Sequence, residues 1–290
     1  MENIKHVILR NVKIIDPKSE YHNKRQDLLI EDGVIKKIAK KVNISSPFFE
    51  TKIKNLHASP GWLDLHARFG EPGHEYRETI NTGLQAAGQG GFTGVVLMPS
   101  TNPPIQKKSD INFLLNKSGN HIVDIFPTGC ITKDCQQQEI SEMYDMHKHG
   151  AVAFTDDKKT IQNSMLMNIA LDYSKNFNAL IMSSCLDANL NKFGQINEGV
   201  ISTQMGLAPS PELAEYMMVM RDLALLDYTK AKLHISTISS NNSLKQIKRA
   251  KKEHLNISTD VAAHQLILSE KNFEHFDSNL KLMPPLRDEQ

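Results

Sequence analysis

Residues 60–73 read Pro60-Gly61-Trp62-Leu63-Asp64-Leu65-His66-Ala67-Arg68-Phe69-Gly70-Glu71-Pro72-Gly73. The short apolar run over 61–66 predicts a strand that delivers His66 and Arg68 at its end, before a turn punctuated by glycine and proline. Downstream, similar runs recur at 94–98, 122–126, 151–154, 179–183, 232–236 and 257–261. Longer amphipathic stretches such as 212–227 and 243–253 separate them. Strand–helix alternation implies a parallel sheet, and a long series of such units points to an α/β fold of the (β/α)8 TIM-barrel type. Seven strands are countable. Pro284-Pro285-Leu286-Arg287-Asp288-Glu289-Gln290 offers no eighth, so the expectation is an incomplete C-terminal end, an open sheet or a fragment.

Upstream of Pro60 the rhythm differs. Val7–Ile15 is a β-rich run closed by Asp16-Pro17, and 27–30 and 34–38 flank Glu31-Asp32-Gly33, a hairpin signal. Residues 1–58 are therefore expected to form a small sheet of short strands, and 59–290 the barrel domain.

The 290 residues carry 34 Lys+Arg against 33 Asp+Glu, for a formal charge of +1. This balance lacks the basic excess that a nucleic-acid or membrane-surface protein needs. Lys245, Lys248, Arg249, Lys251 and Lys252 read as the solvated face of a helix. No apolar run reaches the length of a membrane span, and the N-terminus lacks the apolar stretch of a secretory signal. Three cysteines, Cys130, Cys135 and Cys185, show no CxxC spacing. They suggest no disulfide framework and a cytoplasmic location.

The stretch at 60–73 resembles the dihydroorotase branch of the amidohydrolases, whose pattern is P-G-[FW]-x-D-x-H-x-H-x-R-E-P-G. The resemblance continues in order through 91–96, 98–103, 150–157, 197–203, 233–240 and 279–287, nearly the whole chain. It implies an amidohydrolase-type (β/α)8 barrel, with residues 1–58 as the N-terminal part of a small β-sandwich. It also implies a zinc-dependent cyclic amidase of pyrimidine biosynthesis. Zinc lowers the pKa of bound water and polarises the carbonyl, which takes neutral His and carboxylate ligands with an open position.

The family's metal positions map unevenly onto this chain. His66 and Asp157 are retained, with Asp156 beside the latter. Arg68 stands where the second His of His-x-His belongs, Ser184 where the Ser-His-Cys pattern has its His, and Thr237 where His-x-x-His has its second His. The substrate contacts have changed too: Gly70 replaces an Arg, Ser100 an Asn and Met283 an Asn, while the Thr-Pro-His-His motif appears as Ala262-Ala263-His264-Gln265. Losing one outer-sphere partner weakens a metal site about 10–100-fold, and three ligands are gone here. A guanidinium ~4 Å from a divalent ion would oppose it by roughly 8 kcal/mol at an effective dielectric of 20. The expectation is no zinc or weakly bound zinc, with Arg68 replacing the metal charge and pairing with Asp157.

Structural roles compete with chemical ones. His66, His234 and His264 also read as packing or hydrogen-bonding histidines, and Asp157 as a turn or helix cap. A Cys185–His66 nucleophile pair has nothing in the sequence to bring it together. Two functions follow from the resemblance. One is a non-catalytic, dihydroorotase-like structural partner, with aspartate carbamoyltransferase as the partner to test, that forms homo-oligomers and binds neither nucleic acid nor membrane. The other is an active dihydroorotase that interconverts N-carbamoyl-aspartate and dihydroorotate with a remodelled site. A small-molecule binder is a third reading.

Overall fold

The computed structural model describes residues 6–44, 48–51, 53–119, 121–273 and 276–288. The chain divides into two compact units, Met1–Trp62 and Leu63–Gln290.

The first unit is a mixed five-stranded sheet of β1 (His6–Ile14), β2 (Arg25–Glu31), β3 (Val34–Ala39), β4 (Phe49–Glu50) and β5 (His57–Ala58). β2 and β3 form the expected hairpin: Asp32 and Gly33 both take positive φ (49° and 77°), as a tight two-residue turn requires. β1 runs antiparallel to β2 and parallel to the short β4 and β5, which the sequence pattern had not revealed. Val12, Ile14 and Leu28 form its small buried core. Beside them Asp27 accepts hydrogen bonds from Arg10 Nη1 (2.7 Å) and from the amides of Asn11 and Val42 (3.0 Å each).

The second unit alternates strand and helix. In order come β6 (Trp62–Ala67), α1 (Ile80–Gln89), β7 (Phe92–Leu97), α2 (Lys108–Ser118), β8 (Asp124–Gly129), α3 (Met143–Lys148) and β9 (Ala153–Phe154). They are followed by α4 (Ser164–Lys175), β10 (Leu180–Ser184), β11 (Ile196–Asn197), α5 (Val200–Met205) and β12 (Pro209–Ser210). The unit ends with α6 (Glu212–Thr229), β13 (Leu233–Ser236), α7 (Asn241–Lys252) and β14 (Ile257–Thr259). Seven strands lie in the order β6-β7-β8-β9-β10-β13-β14, and β6 and β14 are its two edges among the described residues. The sheet curls as the seven-stranded part of an amidohydrolase-type (β/α)8 barrel, and each strand coincides with or overlaps a run named from the sequence.

Alternation along the strands sets two apolar layers. On β7, Val95 and Leu97 join the main core with Ile80, Leu84, Ile111 and Leu114 of the flanking helices. Val96 and the following Met98 face the opposite way, into a second cluster with Ala153 and Met182. Each fully buried aliphatic side chain contributes about 1.5–3 kcal/mol, so the helix-facing layer holds the unit together. The N-caps Asn163 and Ser240 start α4 and α7 by accepting backbone N–H groups. The five basic residues of 245–252 all lie on the exposed face of α7, as the pattern indicated.

One expectation is corrected. Cys130 and Cys135 form a disulfide, with Cα atoms 5.9 Å apart. Asp134 and Cys135 both take positive φ (53° and 49°) and turn the loop after β8 back on itself. That reversal, rather than a recognisable spacing, makes the pairing. Cys185 is free and buried. No described helix is long and apolar enough to cross a membrane.

Candidate active site

The residues singled out from the sequence gather at the C-terminal ends of the parallel strands, where barrel chemistry is placed. His66 is the second-last residue of β6 and Arg68 follows the strand; Ser100 follows β7, Asp157 follows β9, Ser184 ends β10 and Thr237 follows β13. Asp157 is the hub, at 2% side-chain exposure. Arg68 grips it with two parallel bonds, Nε to Oδ2 at 2.7 Å and Nη2 to Oδ1 at 2.6 Å. This planar fork on a carboxylate is the geometry that arginine supplies and lysine does not. Ser100 Oγ donates to Oδ2. His66 Nε2 stands 2.9 Å from Oδ1 and 2.7 Å from Arg68 Nη2. One ring nitrogen cannot donate to Asp157 and accept from Arg68 at once, so each tautomer satisfies one contact, and Nδ1 has no partner among the described residues.

These contacts set the protonation state. Burial pushes the Asp157 carboxyl upward, but the hydrogen bonds from His66 and Arg68, the charge of Arg68 and the bond from Ser100 outweigh it. The group is held well below the usual carboxylate range and stays ionised. Asp157 and Thr237 both take φ of 56°. For the β-branched Thr237 this left-handed conformation is an outlier, and such strain collects at functional positions.

A second polar cluster was not foreseen. Asp260, just after β14, accepts from the Thr237 amide and lies 3.2 Å from His234 Nε2, while His234 Nδ1 meets Ser258 Oγ at 2.8 Å. Burial pushes the Asp260 carboxyl up, and the His234 and Thr237 bonds bring it below its ordinary value. The sequence pattern had counted Asp260 inside the strand run 257–261, and nothing in that run marked it as a site residue. Cys185 does not approach His66 in any bonded contact. It bonds to Asp222 Oδ2 at 3.3 Å, and burial, then the charge of Asp222, pushes its thiol well up, so it is no nucleophile.

A cavity of about 60 Å³ opens beside the hub, lined on its polar side by His66, Arg68, Lys158, Ser184, Ser236 and Thr237. Met283 also lines it. Gly70 does not. A Cβ there would meet the Glu78 carbonyl at 2.6 Å and that of His74 still closer, so the turn has closed over the position where the resemblance expects an arginine.

A dihydro-orotase-like family model matches residues 57–243. The chain belongs to the dihydroorotase-like family. It is 35% identical over 286 residues to the dihydroorotase of Syntrophus aciditrophicus, covering 98% of this chain and 67% of that protein. It is 36% identical over 285 residues to that of Acetivibrio thermocellus, covering 97% and 66%. The chain thus spans about two thirds of the length of the curated relatives it matches. Among solved structures, the L-hydantoinase (dihydropyrimidinase) from Arthrobacter aurescens superposes with a TM-score of 0.77 at 17% identity, over 98% of this chain and 64% of that one. A D-hydantoinase from Thermus sp. gives 0.70 at 19%, over 97% and 64%. Those two establish the fold.

The zinc chemistry expected of dihydroorotases does not fit the donor set found here. Both Asp157 oxygens and the His66 Nε2 face one guanidinium, a fixed cation that itself has no lone pair to give. Ser184 and Thr237, which the resemblance sets at metal positions, offer hydroxyls to the cavity. No three of His66, Asp157, His234 and Asp260 bring ligand atoms together among the described residues. The group of potential ligands that does converge is Cys130, Cys135 and Asp156, and its two sulfurs are bonded to each other.

Proposed function

We propose that this chain is a dihydroorotase-family protein without the family's metal-dependent ring chemistry, and that it acts through its folded surface as a structural partner. The observation that carries the first half is the Arg68–Asp157 fork. Arg68 supplies a permanent positive charge to the acid retained from the family's metal positions, with both N–O distances at 2.6–2.7 Å. Arg68 orients the carboxylate, Ser100 and His66 complete its hydrogen bonding, and no group in this arrangement generates a nucleophilic hydroxide. The Asp157 carboxylate is a poor base here, because its charged form is so well stabilised.

The test has two arms. Ring opening of dihydroorotate and ring closure of N-carbamoyl-aspartate are measured with and without added zinc, and zinc content is measured on the same preparation. We expect no turnover and substoichiometric metal. Turnover that disappears in Asp157→Ala would instead establish the active, remodelled dihydroorotase. The partner half rests on the family resemblance. Its test is whether aspartate carbamoyltransferase co-elutes with this chain and loses activity or assembly without it; neither effect would end that reading.

A further inference from the structure

A second group of metal-ligating side chains converges away from the Arg68–Asp157 pair. Cys130, Cys135 and Asp156 are all buried, and one ligand atom from each lies within 4.8 Å of the other two. Cys130 follows β8 directly, Cys135 lies in the loop beyond it, and Asp156 follows β9, the neighbouring strand. The two adjacent acids therefore serve different partners. Asp157 bonds to Arg68, His66 and Ser100, and Asp156 to the loop after β8.

The Asp156 carboxylate is already oriented. Its Oδ1 accepts the amides of Ile131 (2.9 Å) and Thr132 (3.0 Å), and its Oδ2 accepts the Thr132 hydroxyl. The Thr132 hydroxyl in turn accepts the Gln137 amide at 3.0 Å. Outer bonds of this kind fix a ligating carboxylate in place, and Oδ2 keeps a lone pair to give. A cavity of about 10 Å³ borders Asp156, room for a single water. Three protein ligands and one water make a tetrahedral set. Two thiolates and a carboxylate around a divalent ion leave one net negative charge. Lys159 is the adjacent cation: its Nζ donates to the Cys135 carbonyl at 3.1 Å, and its charge acts on Asp156.

The sulfurs are bonded to each other in this structure, and a sulfur cannot be half of that bond and a thiolate ligand at once. The loop does not depend on the bond for its shape. Lys133 donates to the Glu139 carbonyl at 2.8 Å, Ser141 to that of Ile131 at 2.9 Å, and Thr132 pairs with Ile140. The S–S bond spans a sequence separation of 5, so it constrains little of the unfolded chain. Lys133, Asp134 and Gln136 around Cys135 are exposed, which places the pair one layer below solvent.

We propose that Cys130, Cys135 and Asp156 form a binding site for one thiophilic divalent cation of the zinc class, open when the cysteines are reduced and closed by their disulfide. A dithiol opens it by exchange: its two S–H protons end on Cys130 and Cys135, and its own sulfurs become the new disulfide. Metal binding then displaces one proton from each cysteine as the two metal–sulfur bonds form. Thiolate donors favour zinc over magnesium or calcium.

The experiment is equilibrium dialysis of the purified chain against zinc, with the protein either air-oxidised or reduced with dithiothreitol and desalted without oxygen. Alkylation after unfolding counts the thiols, and one modified cysteine before reduction and three after are expected. The reduced protein is expected to hold one zinc more than the oxidised protein, and zinc is expected to raise the melting temperature of the reduced form alone. Cys135→Ser and Asp156→Asn, each reduced, are expected to weaken that zinc at least about tenfold. Magnesium is expected to give no difference between the two forms. Equal zinc in the oxidised and reduced protein, or undiminished binding in Cys135→Ser, would overturn the site. Three modified cysteines before reduction would overturn its closure by the disulfide. Metal held at His66 and Asp157 is present in both redox states, so the metal-free reading of that pair is tested on the oxidised protein and stands or falls separately.

Discussion

Replacing Arg68 by methionine removes a cation from a carboxylate that cannot reach water. Asp157 is 2% exposed, whereas the Arg68 side chain is 33% exposed. Breaking a fully buried ion pair on one side costs about 3–5 kcal/mol, because the remaining charge is left uncompensated. Here the removed partner is partly solvated, and His66 and Ser100 still bond to Asp157, so a discounted cost of about 2–3 kcal/mol is expected. At about 2–4 °C per kcal/mol for a unit of this size, the melting temperature should fall by roughly 5–10 °C. The double variant Arg68→Met/Asp157→Asn has no buried charge to strand and should recover much of that loss, giving a coupling energy of about 1.5–2 kcal/mol. Urea unfolding of the two single variants, the double variant and the parent, with m-values compared, measures the cycle. An Arg68→Met loss below about 0.5 kcal/mol, or strict additivity in the double variant, would refute the view that Arg68 serves as the counter-ion of Asp157.

Arg68→His alone should not restore metal binding, because Ser184 and Thr237 still supply no imidazole; Arg68→His/Ser184→His/Thr237→His should gain cobalt absorption bands on Co(II) titration. Asp157, whose carboxyl is held below the usual range in the folded state, should contribute stability that is fully present above about pH 4 and is lost as the pH falls toward its folded value. The stability gap between the parent and Asp157→Asn, followed by urea titration at descending pH, should therefore narrow in acid, and a gap that widens would contradict the sign. Gly70→Arg should destabilise, since its Cβ would collide with the His74 and Glu78 carbonyls. Thermal unfolding checks it, and we expect a loss of at least about 1–3 kcal/mol.

The strands were legible because each is a short apolar run bounded by turn residues, and that pattern survives whatever happens at the strand ends. β4 and β5, two residues each, carry no period to read and exist only through parallel pairing with β1. Within the site, charge alone suggested the Arg68–Asp157 pair, which the structure contains. The rest depended on three-dimensional approach. Ser100, noted only as a lost asparagine, reaches Asp157 across 57 positions of sequence. Asp260 meets His234 because β13 and β14 are adjacent in the sheet. The Cys130–Cys135 pairing required a loop reversal made by left-handed residues that are not glycine.

The position of the arginine follows from which residue of the cluster can least tolerate being alone. Ser184 and Thr237 lie at strand ends beside the cavity, outside the helix-facing core, where a change of side chain disturbs little packing. Asp157 is different. It is buried beneath those ends, in a left-handed conformation, and among the described residues no cation of its own loop forms an ion pair with it. Without a positive partner its ionised form would have to be neutralised or stabilised at a cost of several kcal/mol. On the proposed reading, in which no metal sits beside this acid, a fixed cation keeps the carboxylate ionised without that cost. In this structure that cation comes from the end of β6, where a side chain two residues beyond His66 meets both Asp157 oxygens in one plane. The buried Asp157 charge and the Arg68 guanidinium are thus two sides of one electrostatic requirement, and neither residue is interpretable by itself.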